Sequence, residues 1–240
     1  IYMSVNKKEI QKNNYFNYRN ISEQSYKSLQ VPPWIEQEIK NKDSKILDYG
    51  CGFGQNLKKL KHNNYKNIYG VDIDPTAIQS CQNNNLIVKQ LNLENLKNPY
   101  DFKFDVIILS HIIEHIQKSQ IINTLTFIKN EFLSENGKLL IAVPNAQSNT
   151  DCYWAYEDWT HTTLFTSGSI YYVLKAAGFD KIEFLDIDCT LGSSKIKSTV
   201  RKFFLMLYVF NKKFWNKITH SAFHQQSPQI FSYEIKVKAQ

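Results

Sequence analysis

The sequence predicts an α/β protein whose largely parallel sheet is covered by helices on both faces. Three observations carry this. Strand-like and helix-like segments alternate from residue 45 onward, the pattern of successive βαβ units. The segment FDVIILS (104–110) is apolar almost throughout, as a strand buried on both faces must be. The first strand also runs directly into a glycine cluster, GCGFG (50–54), at the strand-to-helix turn where open α/β sheets bind ligands.

Residues 1–44 read as a polar, aromatic leading arm with YFNYRN at 15–20. They end in a short helix, WIEQEIKN, opened by Pro32-Pro33, because proline suits a first helical turn. Residues 45–240 read as one main domain. KILDY (45–49) is its first strand, followed by the helix QNLKKLKH. NIYGVD (67–72) is the second strand, and PTAIQSCQN is a helix begun by proline. LIVKQ (86–90) and FDVIILS are strands three and four. A long helix, KSQIINTLTFIKNEFL, leads to a fifth strand, GKLLIAVP (137–144). An aromatic loop at 145–166 precedes the helix SGSIYYVLKAAGF and a sixth strand, DKIEFLDID. A basic helical insert at about 192–225 separates these from SPQIFSYEIKVKA, whose alternation predicts a last strand, antiparallel and near an edge.

Composition narrows the function classes. A chain of 240 residues with 42% hydrophobic and 14% aromatic content can bury a core and is not of the disordered class. The longest apolar run, FFLMLYVF (203–210), falls far short of the roughly 20 residues that cross a bilayer. The opening IYMSVNKKEI has no apolar stretch or small-residue cleavage site of a secretion leader. Cys51, Cys81, Cys152 and Cys189 include no C-x-x-C pair, which excludes a disulfide framework and a thiolate zinc site and fits a reducing cytoplasm. The net charge of +7 is local: between 189 and 233 stand Lys195, Lys197, Arg201, Lys202, Lys212, Lys213 and Lys217 with no Asp or Glu, leaving the rest neutral.

Gly50, Gly52 and Gly54 let backbone approach a ligand without a Cβ in the way. Their G-x-G-x-G spacing is not the G-x-G-x-x-G of dinucleotide binders, which speaks against an NAD enzyme. Asp72, closing the second strand 18 residues after Gly54, is placed to accept both hydrogen bonds of a ribose diol.

Together, D-x-G-x-G-x-G at 48–54, GVDIDP at 70–75, NLENL at 92–96, FDVIILSHIIEHI and GKLLIAVPN resemble the class I S-adenosylmethionine-dependent methyltransferases over roughly residues 45–190. The resemblance implies a Rossmann-like seven-stranded sheet with the last strand antiparallel. It implies S-adenosylmethionine as cofactor, with Gly50, Gly52 and Gly54 along its methionine end, Asp48 near its amino group and Asp72 on the ribose. Ile73 would pack on adenine, Asn92 and Leu93 would border it, and Ser110 would close the cofactor side.

SHIIEHI (110–116) read alone matches the H-x-x-E-H of certain zinc peptidases, but the strand preceding it argues against a catalytic helix. Two readings stay open. Glu114 and His115 hydrogen-bond nearby backbone and shape the pocket, as the E-H pair does in many class I methyltransferases. Alternatively, His111, Glu114, His115 and the later His161 hold a divalent ion, by resemblance to ubiquinone-pathway and small-RNA 3′-end methyltransferases with E-x-x-E-H at this place. Three imidazoles and one carboxylate suit zinc, iron or manganese better than magnesium.

Transfer to a hydroxyl requires in-line alignment and removal of its proton. His161, with Asp158 three residues before it, is the first candidate base, followed by His111 and His115. Tyr153, Trp154, Tyr156 and Trp159 could stack on a sugar or aromatic acceptor. The pattern DWTHTTLFT before a helix and AAGF resembles bacterial methyltransferases of glycan and small-molecule pathways. The expectation is therefore a cytoplasmic O-methyltransferase of a small acceptor, such as a sugar or nucleotide-linked precursor of a surface polysaccharide. The alternatives are metal-assisted methylation of an RNA 3′ end and a non-catalytic cofactor-binding regulator. The basic segment reads as a helix capping the pocket or joining a homodimer, or as a patch for nucleic acid, membrane surface or a phosphorylated substrate.

Overall fold

The computed structural model describes residues 19, 28–92, 96–222 and 228–240. Leu93 and the leading arm's Tyr15 to Tyr18 lie outside the described residues. Seven strands form one sheet: β1 Lys45–Tyr49, β2 Asn67–Asp72, β3 Val88–Gln90, β4 Phe104–Ser110, β5 Leu133–Pro144, β6 Ile182–Leu185 and β7 Glu234–Ala239. Their order is β3-β2-β1-β4-β5-β7-β6. Strands β1 to β5 pair in parallel, and β7 runs antiparallel to both β5 and β6. The last strand thus lies one place in from the edge, which β6 occupies.

Strand alternation sorts the core into two layers. Ile46, Val106, Ile108 and Leu140 face one side. There they meet helix α1 (Pro33–Glu36) through Trp34 and Ile35, α2 (Gln55–His62) through Leu57 and Leu60, and α3 (Pro75–Asn83) through Ile78 and Cys81. Leu47, Ile107, Leu139 and Ile141 face the other side. They meet α4 (Ile121–Phe127) through Ile121 and Leu125, and, beyond the five-residue helix α5 (Tyr153–Glu157), α6 (Ser167–Ala176) through Ile170 and Leu174. Helix α3 starts where Asp74 accepts hydrogen bonds from the Thr76 and Ala77 N–H groups, and α6 where Thr166 and Ser169 form a reciprocal capping box.

Several boundaries differ from those read in the sequence. The helix expected over 118–133 is broken into a 3₁₀ turn at Lys118–Gln120, α4, and a π turn at Ile128–Phe132. The sixth strand shortens to four residues and the last to six, since only residues opposite a partner extend the ladder. The basic segment is a single 24-residue helix, α7 (Lys195–Ile218), with no buried residue.

Chain order reverses between β1 and β4: from β1 the sheet grows through β2 to β3, and from β4 through β5 in the other direction. Loops leaving those two strand ends diverge and open a crevice. Gly70 in β2 sets how closely α2 approaches the sheet. A Cβ there would stand 2.8 Å from Leu57 Cδ1, 2.9 Å from Cys51 Sγ and 3.0 Å from Val88 Cγ1. Gly70→Ala is expected to lower stability by about 1–3 kcal/mol through overpacking; an unchanged urea midpoint would contradict this packing account.

Candidate active site

Both walls of the crevice are loops. After β1, Gly50, Gly52 and Gly54 hold φ of 80°, 50° and 77°, left-handed values that a Cβ disfavours. Gly54 also precedes the first turn of α2, leaving that helix's free N–H groups at the crevice. The Gly50 and Cys51 N–H groups donate to the Val71 carbonyl at 2.8 and 3.0 Å. The Gly52 N–H donates to Asp72 Oδ2 at 2.8 Å, and the Asp74 N–H donates to Asp72 Oδ1 at 2.9 Å. Burial pushes the Asp72 carboxyl up, against these N–H groups. Each of its oxygens keeps a second lone pair, so the carboxylate is fixed in place yet able to accept from a diol.

Asp48 is buried beneath this loop, with Oδ1 accepting from Asn56 Nδ2 at 3.2 Å. Burial pushes its carboxyl up to about 7, with the Asn56 hydrogen bond opposing and Asp72 adding to the rise. The site therefore holds an acidic group whose charge only a nearby cation would fully compensate. This fits a ligand carrying an ammonium group. Ile73, exposed at the end of β2, offers an apolar platform, and Asn92 is exposed just beyond β3. On the facing wall, half-buried Ser110 ends β4. Ile112 lies so close over Gly50 that a Cβ there would be 2.1 Å from its Cδ1.

The stretch after Ser110 is not an α-helix. His111 takes a φ of 56°, and only Ile113–His115 form a 3₁₀ turn. His111 Nδ1 lies 3.2 Å from Glu114 Oε1, and Nε2 lies 2.9 Å from Glu234 Oε1 on β7. Burial opposes charging the ring, but hydrogen bonds and charges from Glu114 and Glu234 outweigh it and push its pKa up to about 10. His111 is thus held between two carboxylates and lies outside the group of side chains that could gather an ion.

His115 and His161 are brought together, with ring centroids 4.8 Å apart. Thr160 Oγ1 donates to Asp158 Oδ1 at 2.6 Å, so it accepts from His115 Nδ1, 2.8 Å away. Burial lowers the His115 pKa and keeps that ring neutral. His161 Nδ1 must donate to the Trp154 carbonyl at 2.6 Å. In both rings the Nε2 lone pair is thereby selected. Glu114 is fully buried, and its Oε2 has no hydrogen-bond partner. One ligand atom from each of Glu114, His115 and His161 lies within 4.8 Å of the others, so the four-residue ion set read from the sequence contracts to three.

Asp158 stands behind the histidines. Its Oδ2 is 3.8 Å from His161 Nε2, too long for a hydrogen bond. It is held by Thr160 and, at 3.5 Å, by Arg19 of the leading arm. Burial raises its carboxyl, but Thr160, His115 and Arg19 together hold it below the usual range. Asp158 reaches His115 through the Thr160 hydroxyl. The four loop aromatics do not form one wall: Tyr153, Tyr156 and Trp159 are exposed, whereas Trp154 is half-buried and supplies the carbonyl beneath His161. Sequence reading missed Thr160, although it directly precedes His161, and also missed Glu234, which lies 123 positions from its partner.

A doubly wound sheet with this glycine loop and this acidic residue after β2 defines a methyl-transfer fold. The profile of the methyltransferase domain family matches residues 24–183, and the chain belongs to that family. Its fold is that of S-adenosylmethionine-dependent methyltransferases. Its fold is similar to that of an S-adenosylmethionine-dependent methyltransferase from Archaeoglobus fulgidus (22% identity, TM-score 0.55, covering 82% of this chain and 86% of that one). It is also similar to magnesium protoporphyrin IX methyltransferase from Synechocystis PCC 6803 with S-adenosylhomocysteine bound (13% identity, TM-score 0.56, 97% and 98% covered). Among curated proteins, the ribosomal protein L11 methyltransferases of Paraburkholderia phymatum and Legionella pneumophila match at 41% identity over 51 residues and 38% over 89. These matches span only 17% and 30% of those relatives' lengths, and 21% and 33% of this chain.

Replacing Asp48 tests the compensated-carboxylate account. With a folded pKa near 7 against an ordinary 3.8, the native state binds more protons between those values, so stability falls as pH rises through that window. Asp48→Asn is expected to raise Tm at pH 8 but not at pH 4, and to weaken S-adenosylmethionine affinity by about tenfold or more, as loss of a charged hydrogen bond does. Unchanged affinity would remove Asp48 from the cofactor site.

Proposed function

We propose that this methyltransferase acts on a hydroxyl of a small-molecule acceptor, with His161 as the base that takes its proton. The observation carrying the proposal is a hydrogen bond: His161 Nδ1 lies 2.6 Å from the Trp154 carbonyl, which leaves Nε2 as the ring nitrogen that can take a proton. S-adenosylmethionine, when bound, supplies a methyl group on a positively charged sulfur. The chain's own residues do the rest. Asp72, the glycine loop, Asp48 and Ile73 seat the cofactor, and Asn92 and Ser110 border it.

His161 Nε2 would hold the proton that the acceptor's hydroxyl loses as the methyl passes from sulfur to oxygen, the breaking methyl–sulfur bond leaving its electron pair on a neutral thioether. The Trp154 carbonyl then stabilises the imidazolium through the Nδ1–H it already accepts. His115 holds a second neutral imidazole beside it, oriented by Thr160 and Asp158. A sugar or nucleotide-linked precursor of a surface polysaccharide is the acceptor class favoured, supported by the sequence pattern around DWTHTTLFT and by the exposed Tyr156 and Trp159 on the same loop. His161→Ala should lower kcat by about 10²-fold or more, the usual worth of a general base, with cofactor affinity nearly unchanged. Wild-type turnover in that variant would eliminate His161 as the base.

A second reading is favoured by the unpartnered Glu114 Oε2. A divalent ion held by Glu114, His115 and His161 would satisfy that oxygen, and two imidazoles with one carboxylate match the donor set of catalytic zinc or iron sites. In that reading the ion lowers the hydroxyl pKa and no side-chain base is needed. Elemental analysis should then find about one ion per chain, lost in Glu114→Gln. Full activity in chelator-treated, metal-free protein rules this reading out.

A further inference from the structure

Helix α7 sits on the body by the side that its sequence makes less apolar. Its half-buried residues are Ser198, Leu205, Tyr208, Val209, Lys212 and Asn216, and these hold it in place through polar contacts. Tyr208 Oη donates to Asn149 Oδ1 at 3.2 Å and its ring packs on Phe231, with centroids 5.3 Å apart. Lys202 pairs with Asp188 at 3.1 Å, and Arg201 donates to the Cys189 carbonyl.

On the opposite side of the helix, about 180° away at 100° per residue, runs an apolar stripe. Ile196, Val200, Phe203, Leu207, Phe210 and Phe214 follow each other at steps of three and four. All are turned to solvent, from 45% exposed for Leu207 to 78% for Ile196. A surface helix normally buries such a stripe.

The charges decide what covers it. Lys195, Lys213 and Lys217 line one border of the stripe, Lys197 the other, and the helix carries no acidic residue. Packing two copies stripe to stripe would bring these unneutralised cations against each other. An anionic lipid surface instead takes up both features, with aromatic and aliphatic side chains entering the acyl boundary while lysine stems reach back to the headgroups. No helix of the described residues is long and apolar enough to cross a membrane, so the contact is one of lying on the surface.

We propose that α7 docks this methyltransferase on an anionic bilayer surface, its Ile196–Phe214 stripe buried at the interface and its flanking lysines on lipid phosphates. The Tyr208–Asn149 contact ties the docked helix to the loop that carries His161.

The test is co-sedimentation of the full chain with vesicles of phosphatidylcholine alone or mixed with phosphatidylglycerol. Binding to the mixed vesicles is expected to be at least about tenfold tighter than to neutral ones and to weaken as salt is added. The double variant Phe210→Asp/Phe214→Asp should lose binding with circular dichroism and S-adenosylmethionine affinity unchanged. Lys213→Gln/Lys217→Gln should lose only the preference for anionic lipid. Absence of binding to mixed vesicles at low salt overturns the proposal. So does a concentration-dependent dimer that the Phe210→Asp/Phe214→Asp variant dissolves, since the stripe would then belong to a second copy.

Discussion

Everything at the site depends on the reversal of strand order between β1 and β4. Because the chain leaves β1 toward β2 and later leaves β4 toward β5, the loops at those two strand ends separate without competing for one space. One carries the glycines and leads, through β2, to Asp72. The other carries the turn from Ser110 to His115. Where they meet, Ile112 touches Gly50, and that contact requires glycine on one side. The fold thus places a rigid, backbone-rich surface opposite a side-chain-rich one.

The side-chain-rich wall is organised by burying charge. Glu114 has no exposure, and one of its oxygens is neutralised by His111, whose other nitrogen is bound by Glu234. Leaving a buried carboxylate unpaired would cost several kcal/mol, so the imidazolium is a structural cation. Burial keeps the His115 ring neutral, while a hydroxyl and a backbone carbonyl accept from Nδ1 of His115 and His161, respectively. Three histidines that look equivalent in the sequence are assigned different chemistry by their second neighbours.

The fold was legible because its signals are local and periodic. Alternating strands and helices, the glycine cluster and the acid closing the second strand each fall within a few residues. Element lengths were less so. The π turn at Ile128–Phe132 and the short β6 and β7 depend on what packs against or pairs with them. At the site, Glu114, His115 and His161 come together in space, but the surroundings of His111 could not be read in the sequence. Its second carboxylate partner is Glu234, on a strand reached only after α7, and spacing within SHIIEHI cannot report a partner that the sheet supplies.

That partner has a consequence for how the protein is made. The glycine loop, Asp48 and Asp72 all lie within residues 48–72 and pair locally as β1 meets β2, so these contacts are short-range in the sequence. Glu234 is the last contributor synthesised. Until β7 slots between β5 and β6, His111 has a single carboxylate beside it and the buried charge of Glu114 is poorly balanced. The two halves mature at opposite ends of synthesis, and the distant pairing of β7 is the slow kind of contact to form. A chain made only as far as α7 would carry the glycine loop and Asp72 but not the carboxylate that faces His111 Nε2.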